Sequence, residues 1–259
     1  AVEEHFDKIL LESNSFKEGP IIRLSDTILW EAMQRNDVKG MASAYQKSYP
    51  EPFKKKQILN NELLKKQLVK ANQLLSGFQY EDLETSDVFD IDSLSKYFAL
   101  SDLTNGQHGS TWSNSVFYYN PILSKLMPIG FDAIPRKDLL SEFSIEKARQ
   151  YKFFEDKELI KEYVKNLEKF SSKNYIETFF SEIESEYYKN MNLLYKSFPA
   201  LVSNLEKIYK NQEIIRRKIN PLNPIVSYYQ DFNEEEKELI ISSGNNQIFP
   251  IEINGIYYN

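Results

Sequence analysis

The stretch from Asp90 to Asp132, DIDSLSKYFALSDLTNGQHGSTWSNSVFYYNPILSKLMPIGFD, constrains the fold of this chain more than any other. It sets out, in close succession, an amphipathic helix, a polar loop around His108 and Asn114, a β-hairpin and a terminal Asp. Asp92 or Ser93 caps the helix, which carries Leu94, Tyr97, Phe98 and Leu100. Asn105-Gly106 marks a turn. Ser115–Tyr119 is alternating and aromatic, hence a strand. Asn120-Pro121 reverses it, and Leu126–Phe131 is the return strand. Strand alternation predicts that one of Tyr118 and Tyr119 is buried and the other exposed. The hairpin carries Asp132 back toward the loop that holds Asn114.

On either side the pattern is mostly helical. Residues 2–12 form a short helix, ended by Gly19-Pro20, and Ile21–Leu24 suits a short strand. Ser25 or Asp26 caps a helix through Trp30 and Met33. Residues 36–52 read as a loop. Residues 54–76 carry a long apolar stripe, with Gly77 as the C-cap. An acidic loop spans Glu81 to Asp90. Beyond Pro135, three stripes follow: Leu159 to Leu167, Tyr175 to Leu194 and Leu201 to Ile215, closed by Pro221 and Pro224. Leu239–Ser242 and Ile248–Tyr257, around Gly244-Asn245-Asn246, read as a hairpin or the opening strands of a further domain. The expected division is 1–232 and 233–259.

Composition agrees with a mainly helical α+β domain. The 259 residues are 41% hydrophobic and 14% aromatic, with 8 Gly and 10 Pro, so a large core can form with few tight turns. The net charge of −6 makes nucleic acid a poor partner. Lys54-Lys55-Lys56 and Arg216-Arg217-Lys218 read as solvated helix faces. The absence of Cys excludes disulfides, thiolate zinc sites and cysteine nucleophiles. No stretch approaches the ~18 apolar residues of a membrane span. Opening at Ala1-Val2-Glu3-Glu4, the chain reads like the interior of a longer protein.

Asn114 and Asp132 are the leading chemical candidates. Phosphoryl transfer needs Mg²⁺ held by hard oxygen ligands, and a loop amide with a carboxylate after a strand can supply two of them. A plainer reading has Asn114 satisfy the loop backbone and Asp132 cap a turn before Pro135. His108 could act as a base, since imidazole titrates near neutrality, or simply pack beside Trp112. His5 reads as a surface or interdomain residue. Nucleotide-binding glycine loops and the nucleophile elbow are missing. The Asp90/Asp92 pair is better explained by helix capping than by glycoside chemistry.

Several blocks resemble the CotH (spore coat protein H) kinase family, atypical relatives of protein kinases, in the form found in large bacterial envelope proteins. They are VEEHFDKILLE with EGPII, VFDIDSLSKYFALSDL, WSNSVFYYNP with KLMPIGFDA, FFEDKELIKEYVKNLEKFSSKNYIETFF, and NQEIIRRKINP with VSYY. The resemblance implies an atypical kinase fold, mostly its helical C-terminal lobe with a small β-hairpin and a C-terminal β tail. It implies that Asn114 matches the family's catalytic-loop Asn and Asp132 its metal-binding Asp. Active members use Mg²⁺ and ATP to phosphorylate secreted proteins, so the resemblance also implies an extracytoplasmic setting and a protein partner or acceptor in the envelope. Glu3 and Glu4 fall where the family's N-terminal lobe ends.

Three departures mark this chain. Gln107–Ser113 contains no carboxylate where the family has its catalytic Asp, and Asp102 is the nearest upstream acid. Phe131 replaces the Trp before the metal Asp. By the resemblance this sequence opens where the strand-rich lobe that covers ATP ends, so that lobe is not expected within it. The expectation is therefore a degenerate kinase domain with a structural or interaction role and no cofactor. The alternative is a Mg²⁺-ATP phosphotransferase with Asn114 and Asp132 on the metal and His108 or Asp102 as base.

Overall fold

The computed structural model describes residues 5–133, 135, 138–147, 152–200, 205–233, 235 and 238–251. The fold is α+β and mainly α, as expected. Helix α1 (Lys8–Ser13) starts on Asp7, whose carboxylate accepts from the Ile9 amide at 2.9 Å. Strand β1 (Ile21–Leu24) leads to α2 (Thr27–Gln34). Residues 36–52, expected as a loop, contain α3 (Val38–Lys47) and a short strand, β2 (Pro50–Pro52). The VKGMASAYQK segment has only a short stripe, Val38, Met41, Ala42 and Tyr45, two turns long. Asp37 nevertheless caps it, accepting from the Gly40 amide at 2.9 Å, and Ala44 is fully buried.

The expected helix over 54–76 is two helices, α4 (Lys55–Leu59) and α5 (Glu62–Gln79). They part at Asn60-Asn61, because Asn61 turns its side-chain oxygen onto the Leu63 and Leu64 amides at 3.0 and 3.2 Å. Gly77, expected as the C-cap, lies inside α5, where a Cβ would collide with Leu83. The helix runs on to buried Gln79, whose amide donates to the carbonyls of Tyr45 and Ser48.

A short helix, α6 (Thr85–Val88), interrupts the acidic loop, and α7 (Ile91–Thr104) follows. Its cap is Asp90, which accepts from the Ser93 amide at 3.1 Å. Asp92, an expected cap, sits in the first turn and pairs with Lys96 at 2.6 Å. Asp90 also ties the helix start to the hairpin, its amide donating to the Leu126 carbonyl at 2.9 Å.

The hairpin forms as expected, β3 (Val116–Asn120) and β4 (Lys125–Ile129), with the Asn120 side chain accepting from Ile122 and Leu123 in the turn. It is half of a larger sheet. The order is β2-β1-β3-β4, all antiparallel, with Ile22 opposite Phe117 and Phe117 opposite Pro128. One face buries Leu11, Ile21, Val116 and Tyr118. On the other, Phe117 meets Phe89 at 5.0 Å, and Phe89 meets Phe78 and Phe153 at 4.9 and 5.3 Å. With both faces covered, Tyr118 and Tyr119 are both buried, contrary to the alternation. Burial pushes the Tyr118 hydroxyl up to about 12.

Helices α8 (Ser144–Lys147) and α9 (Lys157–Ser171) follow. Asp156 caps α9, accepting from Glu158, Leu159 and, across the fold, the Ser86 amide. Burial alone would raise its pKa, but the hydrogen bonds from Ser86, Leu159 and Glu158 hold it below the usual value. The chain divides into two units, 1–166 and 167–259, and the division falls inside α9.

The second unit contains α10 (Tyr175–Ser197) and α11 (Leu205–Ile219). Buried Gln212 on α11 donates to the Phe170 and Ser172 carbonyls at 3.0 and 2.6 Å. Strand β6 (Glu238–Asn245) pairs back onto β5 (Ile225–Asn233), so the expected 232/233 division falls inside a paired strand. The expected residues Leu201 and 252–257 lie outside the described residues.

Candidate functional site

The helix α7, the loop after it and the hairpin converge where the sequence places its candidates. Asn105 ends α7 in the left-handed conformation (φ 52°), and a 3-10 turn over Gln107–Ser110 follows. That turn lies directly on the chain leaving β4. A Cβ at Gly109 would overlap the Phe131 carbonyl oxygen and stand 3.1 Å from the Ala133 Cα, and one at Gly106 would lie 2.9 Å from the Ala133 carbonyl oxygen. Only glycine lets the two backbones approach so closely. Asp132 between them is itself left-handed (φ 48°), which turns its carboxylate toward the loop.

Three of the four candidates therefore meet. His108 Nε2 lies 3.1 Å from Asp132 Oδ2. Asn114 Nδ2 donates to the same oxygen at 3.4 Å and to the His108 carbonyl at 3.1 Å. The His108 carbonyl also accepts from the Thr111 hydroxyl at 3.0 Å, which closes the loop upon itself. The cluster is open to water, with the His108 side chain 53% and the Asp132 side chain 32% exposed. Trp112 packs edge-on against Tyr45 of α3, ring centroids 5.8 Å apart.

Asp102, the fourth candidate, is fully buried in α7. Its Oδ1 accepts from Gln107 Nε2, the Ser144 amide and the Ser144 hydroxyl, each at 2.8 Å, and its Oδ2 from the Tyr163 hydroxyl. Gln107 also donates to the Glu142 carbonyl at 2.7 Å and accepts from Lys147 Nζ at 2.8 Å. No cation touches the carboxylate directly in these bonds. Burial pushes its pKa up to about 6, against the opposing pull of the Gln107, Tyr163 and Ser144 hydrogen bonds. Burial and the neighbouring Asp102 charge hold the Tyr163 hydroxyl well above its ordinary value. Asp102 thus joins α7, the 3-10 turn, α8 and α9.

The donor arrangement fits a Mg²⁺ ion poorly. Asn114 presents its amide nitrogen to Asp132, and turning the amide over would set its oxygen against the His108 carbonyl. The imidazole nitrogen on Asp132 Oδ2 is a ligand Mg²⁺ disfavours. What the cluster can do is hold two chain segments together through the contacts of His108 and Asn114 with Asp132.

Gln107, Ser144 and Tyr163 complete this region and were not legible as partners of Asp102. Tyr163 belonged to an apolar stripe, and nothing in its spacing marks where a hydroxyl will point. The pair Gly106/Gly109 was a usable signal, since glycines three apart beside a polar loop point to a close backbone approach. No protein-family model matches the sequence, and neither a curated protein nor a solved structure matches it.

Proposed function

We propose that this chain is a degenerate CotH kinase-like domain that serves a larger envelope protein as a structural or interaction module. The observation that carries the reading is the His108–Asp132 contact of 3.1 Å, with Asn114 turned onto the same carboxylate oxygen. In a working site of this kind Asp132 must be available to a Mg²⁺ ion bridging ATP phosphates. Here an imidazole nitrogen and an amide N–H stand on one of its two oxygens, Oδ2. Asp102, the nearest upstream acid, is sealed in the core and accepts from four donor groups. Both acids then hold the fold, and the surrounding surface carries the role.

A second reading has one observation in its favour. If Nε2 carries the imidazole proton and donates it to Asp132, Nδ1 of the half-exposed ring keeps its lone pair and can take a proton from an acceptor hydroxyl. On that reading the domain is a Mg²⁺-ATP-dependent phosphotransferase acting on a secreted protein. Phosphate transfer from labelled ATP separates the two. The first expects no incorporation above that of Asp132→Ala, into itself or generic acceptors. Incorporation lost in both Asp132→Ala and His108→Ala supports the second.

A further inference from the structure

Helix α10 changes character along its length. Residues 175–187 carry Glu177, Glu182, Glu184 and Glu186 and no Lys or Arg. Residues 188–210, which run through the end of α10 into the start of α11, carry Lys189, Lys196, Lys207 and Lys210 against the single Glu206. In a chain of net charge −6 this is a local reversal of sign. Tyr187, Met191 and Tyr195 line one hollow with Leu205 and Glu206, so the two helix ends lie together.

The same end is apolar and open. From Tyr188 to Ala200 every residue except Met191 is exposed. Leu193 and Phe198 are 55% and 59% exposed. Leu193, Leu194 and Tyr195 are consecutive, and the helical turn of 100° per residue aims them in three directions. Apolar groups thus surround the helix end, where a groove-binding helix would confine them to one stripe.

We propose that this end of the α10–α11 pair seats in the interfacial layer of a lipid bilayer containing anionic lipid. Leucine and phenylalanine enter the acyl boundary, while Tyr188, Tyr195 and Tyr209 hold ring bodies in it and hydroxyls among the headgroups. Lys189 and Lys196 lay their stems along the apolar surface and carry charge to the lipid phosphates. The acidic first half of α10 is kept away from the surface by its own charge. No helix among the described residues is long and apolar enough to cross a membrane, so the contact is made at the surface. This inference stands independently of the reading of His108 and Asp132.

Flotation of the full 259-residue chain with vesicles tests it. Phosphatidylcholine vesicles containing a quarter phosphatidylglycerol should carry the chain upward at low salt, and phosphatidylcholine alone should carry far less. Leu193→Glu with Phe198→Glu should weaken binding at least ~10-fold, and Phe198→Leu should retain it. Lys189→Gln and Lys196→Gln should each cost about fivefold on anionic vesicles. All these positions are exposed, and circular dichroism verifies that the variants fold. Absence of binding to anionic vesicles, or binding that the double glutamate variant leaves intact, overturns the proposal. So does sedimentation equilibrium showing that the same substitutions instead dissolve a self-association, which would make the apolar end a protein contact.

Discussion

His108 Nε2 stands 3.1 Å from Asp132 Oδ2, held there by two backbones so close that Gly109 has no space for a Cβ. The side-chain contact and the backbone contact are parts of one device. The glycine lets the 3-10 turn lie on the chain leaving β4, and the left-handed Asp132 turns its carboxylate to meet the ring.

Gly109→Ala should therefore damage more than its size suggests. The added methyl meets the Phe131 carbonyl, which belongs to the backbone and cannot swing aside. Urea unfolding should register a loss of about 1–3 kcal/mol. The His108 ring resonance should shift, because the turn must lift from residues 131–133. An unchanged midpoint with an unchanged His108 resonance would show that the close approach is absent in solution.

Asp102 should make stability depend on pH in the mildly acid range. Its folded pKa is raised to about 6, above the ordinary carboxylate value of 3.8, so the folded chain keeps this proton to higher pH than the unfolded chain. The contribution is complete below about pH 4 and lost as pH rises through about 6. A shift of this size corresponds to about 3 kcal/mol. Asp102→Asn should remove this downward slope from unfolding free energies measured between these limits. Tyr163→Phe, which deletes the hydroxyl donor, should move the loss to still higher pH. A slope identical in wild type and Asp102→Asn would contradict the assignment.

The aromatic cluster under the sheet should be the most costly place to make a hole. Phe89 is buried and has ring neighbours at 4.9, 5.0 and 5.3 Å from three different segments. Phe89→Ala should cost about 3–5 kcal/mol in denaturant unfolding. A loss below that of a surface substitution would mean the cluster is loosely packed.

Asp90 should act as a cap and little else. Its side chain satisfies the Ser93 amide, while its own amide reaches the Leu126 carbonyl. Asp90→Ala should cost about 1 kcal/mol, and Asp90→Ser should recover most of it. Asp92→Ala, which removes only a surface ion pair, should change stability by at most about 0.5 kcal/mol.

Much of this fold was visible in residue pattern because local chemistry decided it. The hairpin followed from an alternating aromatic run and an Asn-Pro turn, and α9 to α11 from long apolar stripes. Elements set by single side chains were harder to see. Asn61 breaks a helix whose apolar stripe runs through it, and Asp37 starts one whose stripe is only two turns long. The joining of β1 and β2 to the hairpin is a long-range pairing that no local window contains, and it buries Tyr118 and Tyr119 together. At the site, the approach of the Asn114 loop to Asp132 was legible from the loop and hairpin order, but the contact of His108 with Asp132 was not. Nor was the orientation of the Asn114 amide, because it depends on the carbonyl of His108. Burial of Asp102 was also hidden, since its partners come from Gln107, Ser144 and Tyr163.

On the proposed reading, His108 and Asn114 close Asp132 Oδ2 to a metal-bound nucleotide. Calorimetric titration of Mg²⁺-ATP into the wild-type chain, beside Asp132→Ala and His108→Ala, tests it most directly. The closed site predicts no binding heat in wild type or Asp132→Ala. Binding in wild type that vanishes with Asp132→Ala would contradict it and establish a live phosphate site.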